Sequence, residues 1–361
     1  MNLTEWSWLF LALYIALMVG IGLYAQRKIK HADDFATARG AYGPFFLALA
    51  FAASTASGAT FLGSPALSYE WGLAANWGNF LYPIGVYVGI LISMRLIATS
   101  GNRFGNRSIP EYLGDRYQSE FMRLAVSLLS LVLFFYLAGQ LVSGVVMFEI
   151  MLGLNAEWAL GITTLVLLFY VVLGGAHADI LTDGFQGALM LVLAVLVIVL
   201  TLMGYGIDGG LFALVDNLEA QDPNLATALN PSTPLYHSWW SIFVIAFAHM
   251  PLGLLPHLGN KLWALDSTQD RFQFVKLAAL FGLMLGSGLY LLGRNIIMLD
   301  VVQTISKKIA IIGTARAGKT VFLTSLLNHL LEHNRSDFVV GNGHGVQIAD
   351  FKHKPISKSI G

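Results

Sequence analysis

Apolar residues along this chain fall into long runs of roughly 20, separated by short polar clusters, from the amino terminus to about residue 298, where the pattern stops. Twenty helical residues rise about 30 Å, the depth of a bilayer's hydrocarbon core, so each run is predicted to cross a membrane as a helix. Eight such helices are placed at approximately 6–26, 44–66, 77–98, 122–151, 157–174, 184–204, 238–257 and 276–297. The first is not read as a cleaved leader: "MNLTE" carries no basic residue, and the run that follows is too long and lacks an Ala-x-Ala-like site.

Two runs are interrupted. The second reads "ALAFAASTASGATFLGSPALSYEWG", with Ser54, Thr55, Ser57, Gly58 and Thr60 crowded in its middle and Gly63 and Pro65 just beyond. The seventh reads "FVIAFAHMPLGLLPHLGNKLW", where Pro251, Gly253, Pro256 and Gly259 remove or weaken helical hydrogen bonds. Carbonyls freed at bilayer depth are costly unless protein, water or an ion satisfies them. Matched breaks in two repeats point to a transporter's binding site, and the spacing suggests a five-helix repeat that restarts at the seventh run. A plainer reading stays open for Ala52, Ala56, Ser57 and Gly58, whose small side chains would also let two helices approach closely.

Composition agrees with a lipid setting: 56% of residues are hydrophobic and only 12% charged, with a mean hydropathy of +0.66. The absence of cysteine excludes disulfides, thiolate metal sites and cysteine nucleophiles. Net charge is zero, yet its distribution is one-sided. Arg27, Lys28, Lys30 and Arg39, then Arg95, Arg103, Arg107, Arg116 and Arg123, then Lys261, Arg271 and Lys276 occupy alternate connections. Residues 1–5, 67–76, 152–156 and 205–237 hold no lysine or arginine, and the last carries Asp208, Asp216, Glu219 and Asp222. The positive-inside rule therefore predicts a multi-pass protein of the cell (inner) membrane, with its N-terminus outside, basic loops in the cytoplasm and the tail after Arg294 outside.

"KHADDFATARGAYGPFFLALAFAASTASGATFLGSPALSYEWGL", "RSIPEYLGDRY" and "YVVLGGAHADILTDGFQGALM" resemble successive signatures of the sodium:solute symporter family. The third is the most specific, with a Gly174-Gly175 break, a short polar crossing, and Thr182-Asp183-x-x-Gln186-Gly187 opening the next helix. "PHLGNKLWALDS" is similar to the corresponding loop of the family's pantothenate-like branch. The resemblance covers about residues 4–297 and implies an all-α transmembrane fold, a partial LeuT-type inverted-repeat bundle of about eight helices. It also implies sodium-coupled secondary transport of a small organic solute, with sodium as coupling ion and lipid and solute as partners. No nucleic-acid partner and no enzyme constellation is expected, and homo-oligomer formation is left open.

Carried over residue by residue, the resemblance places a partial sodium site at Ala53 and Ala56, through their carbonyls, beside Thr55, Ser57 and Gly58. Oxygen ligands suit a hard cation, and an unwound turn presents carbonyls that an intact helix would consume. Asp183 matches an aspartate near the ion path; Asp183 with Gln186 equally has the form of an N-cap and capping box. His249, at the break in the seventh helix, is a second ion-path candidate, or else a neutral histidine bonded to a freed carbonyl. His177 and Asp179 are expected to sit exposed in the polar crossing and, without further ligands at metal spacing, form no metal site. Full members of the family continue beyond the eighth helix, and hydroxyls that complete their sodium site come from the third helix of the second repeat. The resemblance thus implies an incomplete site here and transport impaired by truncation.

The tail suggests a different chemistry. Lys307–Ile312 reads as a strand, Gly313 to Thr320 fits G-x-x-x-x-G-K-[ST], and Val321–Leu331 has helical apolar spacing. Gly313 and Gly318 would let backbone N–H groups surround phosphate, Lys319 would reach the β/γ-phosphates, and Thr320 would hold Mg²⁺. "IAIIGTARAGKTVFLTSLLNHLLEH" is similar to the start of YcjX-like P-loop proteins over about residues 298–340. "GVQIAD", ending at Asp350, is a candidate second strand, and nothing follows to complete a sheet. The chain is therefore read as two parts, a symporter-like transmembrane domain at 1–297 and a short incomplete α/β P-loop fragment with a polar tail at 298–361, joined near Met298 as in a fused or disrupted reading frame. The alternative function is a Mg-nucleotide-binding P-loop protein on a membrane anchor.

Overall fold

The computed structural model describes residues 3–295, apart from 58–59, 61–62, 95–96, 98–100, 206, 208 and 266, together with 339–342 and 345–348. In the first of two compact units, Met1–Ala310, all the regular secondary structure of the described residues is helical. Its helices are α1 (Leu3–Gln26), α2 (Ala32–Thr37), α3 (Pro44–Thr55), α4 (Ser64–Trp71), α5 (Asn76–Met94), α6 (Gly101–Phe104) and α7 (Ile109–Tyr117). There follow α8 (Glu120–Ser130), α9 (Leu133–Leu152), α10 (Ala156–Leu202), α11 (Leu214–Gln221), α12 (Trp239–His249), α13 (Pro256–Gly259) and α14 (Thr268–Asn295).

Each predicted span has a helical counterpart, with revised limits. Five stretches are long and apolar enough to cross a membrane, namely Glu5–Gln26, Ser64–Met94, Glu120–Ile150, Val171–Leu202 and Thr268–Leu291. A sixth is the bent pair Trp239–Gly253 and His257–Ala264, whose axes differ by 65°, and two shorter apolar helices cover Pro44–Thr55 and Ala156–Phe169. The run predicted at 44–66 is thus two helices, because α3 stops at Thr55 and α4 restarts at Ser64 behind Pro65. The run at 122–151 pauses at Leu131 and Val132, whose N–H groups bond three residues back. Ser127 and Ser130 just before it turn their hydroxyls to the carbonyls of Arg123 and Val126, a habit that bends helices.

One expectation fails in an informative way. No polar crossing separates the fifth and sixth runs; α10 is helical on both sides of a single kink at Gly175, with φ 49° and ψ −137°. A Cβ at that glycine would stand 2.4 Å from the Phe35 carbonyl oxygen, so only glycine fits both the backbone and the space. The direction change is completed in one residue, so the helix resumes at once and Asp183 lies two turns inside it. The capping box proposed for Asp183 and Gln186 is absent: Gln186 Nε2 donates instead to Tyr14 Oη at 2.6 Å.

The core joins α3, α5 and α14 through Leu47, Phe51, Val86, Ile90, Phe274 and Phe281. By contrast α8 and α9 present Phe121, Leu129, Phe134 and Phe135 outward, which is stable where the solvent is hydrocarbon. Glycines set the closest approaches. A Cβ at Gly184 would meet the Phe46 ring at 2.3 Å and one at Gly187 the Leu49 carbonyl oxygen at 2.0 Å, bringing α10 against α3. Gly89 does the same for α5 against the break after α12, its Cβ position lying 2.0 Å from Met250 O.

In the second unit, Ile311–Gly361, β1 (Val339–Asn342) pairs antiparallel with β2 (Gly345–Ile348), Val339 opposite Ile348. The strand expected in "GVQIAD" exists over Gly345–Ile348, as one arm of this hairpin. Gly313, Gly318, Lys319, Thr320 and Asp350 lie outside the described residues.

Candidate functional site

The end of α3 is where the helical hydrogen-bond ladder fails. Ala56 N–H still reaches back to Ala52 O at 3.0 Å, but Ser57 N–H turns to Thr55 O at 2.9 Å. The Ala53 carbonyl thereby loses the bond that an unbroken helix would draw from Ser57. Thr55 folds its hydroxyl back on Phe51 O and Ala52 O, both at 3.0 Å, so this side chain serves its own helix. Its carbonyl instead accepts from Tyr82 Oη at 2.7 Å, which ties the broken end to α5. Ser57 and Thr60 face each other, hydroxyl to hydroxyl, at 3.2 Å. Gly58 lies outside the described residues.

This break lines one wall of a cavity of about 400 Å³, through Thr55, Ala56, Ser57 and Thr60. The opposite wall comes from α12, through Ile245, Ala248 and His249. There the helix tightens into a 3₁₀ turn at Met250–Leu254, as Pro251 requires, and the chain bends. Asn79, Tyr82 and Tyr87 from α5 and Gly282 and Gly286 from α14 complete the enclosure. The two breaks seen in the sequence therefore face one cavity.

His249 Nδ1 lies 2.6 Å from Ile245 O, and its ring meets Tyr82 edge-on at 5.0 Å between centroids. Asp183 belongs to a separate cluster behind α3. Ser54 Oγ donates to Asp183 Oδ2 at 2.5 Å, and Lys261 Nζ reaches the same oxygen at 2.8 Å and Asp179 Oδ2 at 2.5 Å. Lys261 is only 5% exposed, so it is a buried ion-pair partner and not the loop surface charge that the sequence suggested. Burial of an ammonium requires partnered carboxylates, and two are present.

His177 is not exposed in a crossing, whereas the Asp179 side chain stays about half exposed. His177 is buried with Nδ1 2.9 Å from Tyr42 Oη, and Asp179 pairs with Lys261. No group of three His, Asp or Glu side chains at metal-holding distance occurs among the described residues. Sequence reasoning missed Lys261 and Tyr82 as parts of these networks. A lysine four residues beyond His257, in a Gly- and Pro-broken apolar run, was the available signal.

At the membrane surface, Arg39 grips Asp33 through Nε–Oδ2 at 3.0 Å and Nη2–Oδ1 at 3.1 Å, and Nη2 also donates to Asn106 O at 2.8 Å. Its guanidinium stacks over the buried Trp263 ring, 5.8 Å from the centroid. The Arg39 hydrogen bond holds the Asp33 carboxyl below the usual carboxylate range, against a weaker opposing effect of burial.

Comparison with known proteins bears on this arrangement. Residues 35–332 match the sodium:solute symporter family, a stretch that runs across 313–320. The chain is 29% identical over 266 residues to the osmoregulated proline transporter OpuE of Bacillus subtilis, covering 72% of this chain and 52% of that protein. It is 28% identical over 267 residues to the sodium/proline symporter of Escherichia coli, covering 70% and 50%. The relatives named here are proline transporters, and nothing in them points to a pantothenate-like branch; the chain spans about half the length of the curated relatives it matches. In structure it resembles the substrate-bound, outward-open state of a Na⁺-coupled sialic acid symporter, with a TM-score of 0.65, 19% identity, and coverage of 90% of this chain and 67% of that one. That likeness establishes the LeuT-type fold. With five or more membrane-length apolar helices and a family match over most of its length, this multi-pass membrane protein belongs to the sodium:solute symporter family.

Proposed function

We propose that the protein takes part in sodium-coupled secondary transport of a small organic solute. The observation that carries this reading is the pair of helix breaks, at Thr55–Thr60 and after His249, facing each other across one cavity. The coupling ion would be held through the carbonyls of Ala53 and Ala56 and the Ser57 hydroxyl, beside Thr55 and Gly58, an oxygen donor set that fits a hard monovalent cation. Asp183 would lie on the ion path behind α3, and His249 on the solute side. The N-terminus would face outward and the basic loops the cytoplasm. Residues 1–297 would form the transport domain and 298–361 a separate C-terminal segment. Because the relatives named above transport proline, proline is the first solute to test.

The nucleotide reading rests on the motif at 313–320 alone, which lies within the stretch matched by the symporter family.

The test is uptake of labelled proline and a panel of other amino acids, sugars and carboxylates into vesicles holding the full chain, with and without a sodium gradient. Sodium-dependent uptake that an Ala56→Trp variant abolishes supports the reading. Sodium-independent uptake, or uptake unchanged in that variant, rules it out.

A further inference from the structure

The cavity has an unusual chemical inventory. Its described lining offers several hydroxyls, among them those of Ser57, Thr60, Ser64, Tyr87 and Tyr236, with the Asn79 amide and the His249 imidazole, but no carboxylate and no lysine or arginine. Most of these groups donate and accept equally well, so they do not distinguish solutes by direction of hydrogen bonding. His249 is different. Its Nδ1 lies 2.6 Å from the Ile245 carbonyl oxygen, which only accepts, so Nδ1 carries the proton. In the neutral ring Nε2 is then a pure acceptor. It has no protein partner among the described residues, and the residue lines the cavity.

The ring is also held in place. It stands edge-on to Tyr82 at 81°, and Tyr82 is itself fixed by donating to Thr55 O at 2.7 Å. Beneath it, a Cβ at Gly85 would lie 2.8 Å from His249 Cβ, so α5 and α12 meet at van der Waals contact there. A fixed acceptor in an otherwise permissive wall discriminates strongly, because a solute without a matching donor leaves Nε2 buried and unpaired.

Resting on the transport reading, we infer that His249 sets solute specificity: the cavity takes a small solute of zero net charge, zwitterionic or neutral, that points an N–H or O–H donor at His249 Nε2. Zero net charge follows from the wall, since an uncompensated charge on the solute would meet no opposite side-chain charge in the described lining, whereas the two charges of a zwitterion offset each other. His249 acts here as a specificity residue of the solute cavity, distinct from the ion ligands of the α3 break.

The experiment is equilibrium binding to the purified full chain in sodium, using proline, other zwitterionic amino acids and neutral polyols. Each is paired with a charged or donor-blocked analogue, such as the N-acetyl acid or the methyl ester. The expected result is that a net-neutral donor-bearing compound binds best. His249→Phe should weaken it about tenfold, and His249→Gln, whose amide oxygen restores an acceptor, should recover most of the loss. Sodium affinity, read from sodium-dependent thermal stabilisation, should stay within about twofold in both monodisperse variants. Preference for a net-charged or donor-blocked compound, or equal binding by His249→Phe, overturns the inference. If sodium stabilises the chain but no panel compound binds, this inference falls and the transport reading survives. If neither sodium nor any compound acts, both fall.

Discussion

The ammonium of Lys261 lies 2.8 Å from Asp183 Oδ2, the same oxygen that Ser54 Oγ reaches at 2.5 Å. Three elements are thereby fastened at one atom: α3 just before its break, the second half of α10, and the segment that follows the bend after α12. Removing one partner of such a buried pair leaves a charge without compensation, which costs about 3–5 kcal/mol. Lys261→Ala should therefore lower thermal stability sharply in detergent. The double variant Asp183→Asn, Lys261→Met should recover part of that loss, since it removes both charges. A double variant no more stable than Lys261→Ala, by fluorescence-detected unfolding, would show that the pair is not coupled.

The kink at Gly175 and the half-buried Gly161, which has open space at its Cβ position, make a controlled comparison within one helix. Gly175 has a positive φ and a Cβ position 2.4 Å from Phe35 O, whereas nothing lies within 4 Å of a Cβ at Gly161. Gly175→Ala combines a backbone strain of about 1–3 kcal/mol with a steric clash, and should reduce stability and the yield of folded protein. Gly161→Ala should be neutral or gain up to about 1 kcal/mol from helix propensity. Equal melting temperatures for the two variants would contradict the kink geometry.

Much of this architecture was legible because lipid simplifies the code. Apolar runs of membrane length located the spans, and Gly63 with Pro65, and Pro251 with Gly253, marked both breaks that meet at the cavity. The failures share one cause, which is that partners distant in sequence are invisible to local patterns. His177 looked like a surface residue until Tyr42, 135 positions away, covered it, and nothing near Asp179 announced Lys261, 82 positions away, as its partner. Lys261 looked like a loop charge for the same reason. Asp183 with Gln186 had the spacing of a cap, but Gly175 restarts the helix eight residues earlier than that cap would.

Close approach of α5 to the broken α12 segment depends on Gly89, whose Cβ position is 2.0 Å from Met250 O. A methyl group there must push the 3₁₀ turn outward, an overpacking cost of about 1–3 kcal/mol. Because His249 directly precedes that turn, Gly89→Ala should also weaken solute binding more than sodium binding. Unchanged stability and solute affinity would mean that the two elements separate easily at this point.

The Arg39–Asp33 clamp predicts a pH dependence whose sign follows from the lowered Asp33 carboxyl. An acid held below its unfolded value, about 3.9, contributes stability that is fully present above that value and lost as pH falls through the folded one. Between pH 7 and 5 the clamp is intact, so Asp33→Asn should melt earlier than the wild type by a constant margin. Below about pH 4 the unfolded chain takes up the proton first, so the margin should shrink, and the two proteins should converge as pH falls through the lowered folded value, where Arg39 loses its anionic partner. Arg39 keeps its bond to Asn106 O and its stacking on Trp263 throughout, so the loss should be graded rather than a collapse of the helical unit. Thermal unfolding of both proteins in detergent, in steps from pH 7 to 3 at constant ionic strength, reads this directly. A margin that persists unchanged to pH 3 would mean that the Arg39 contact does not depend on Asp33 being ionised.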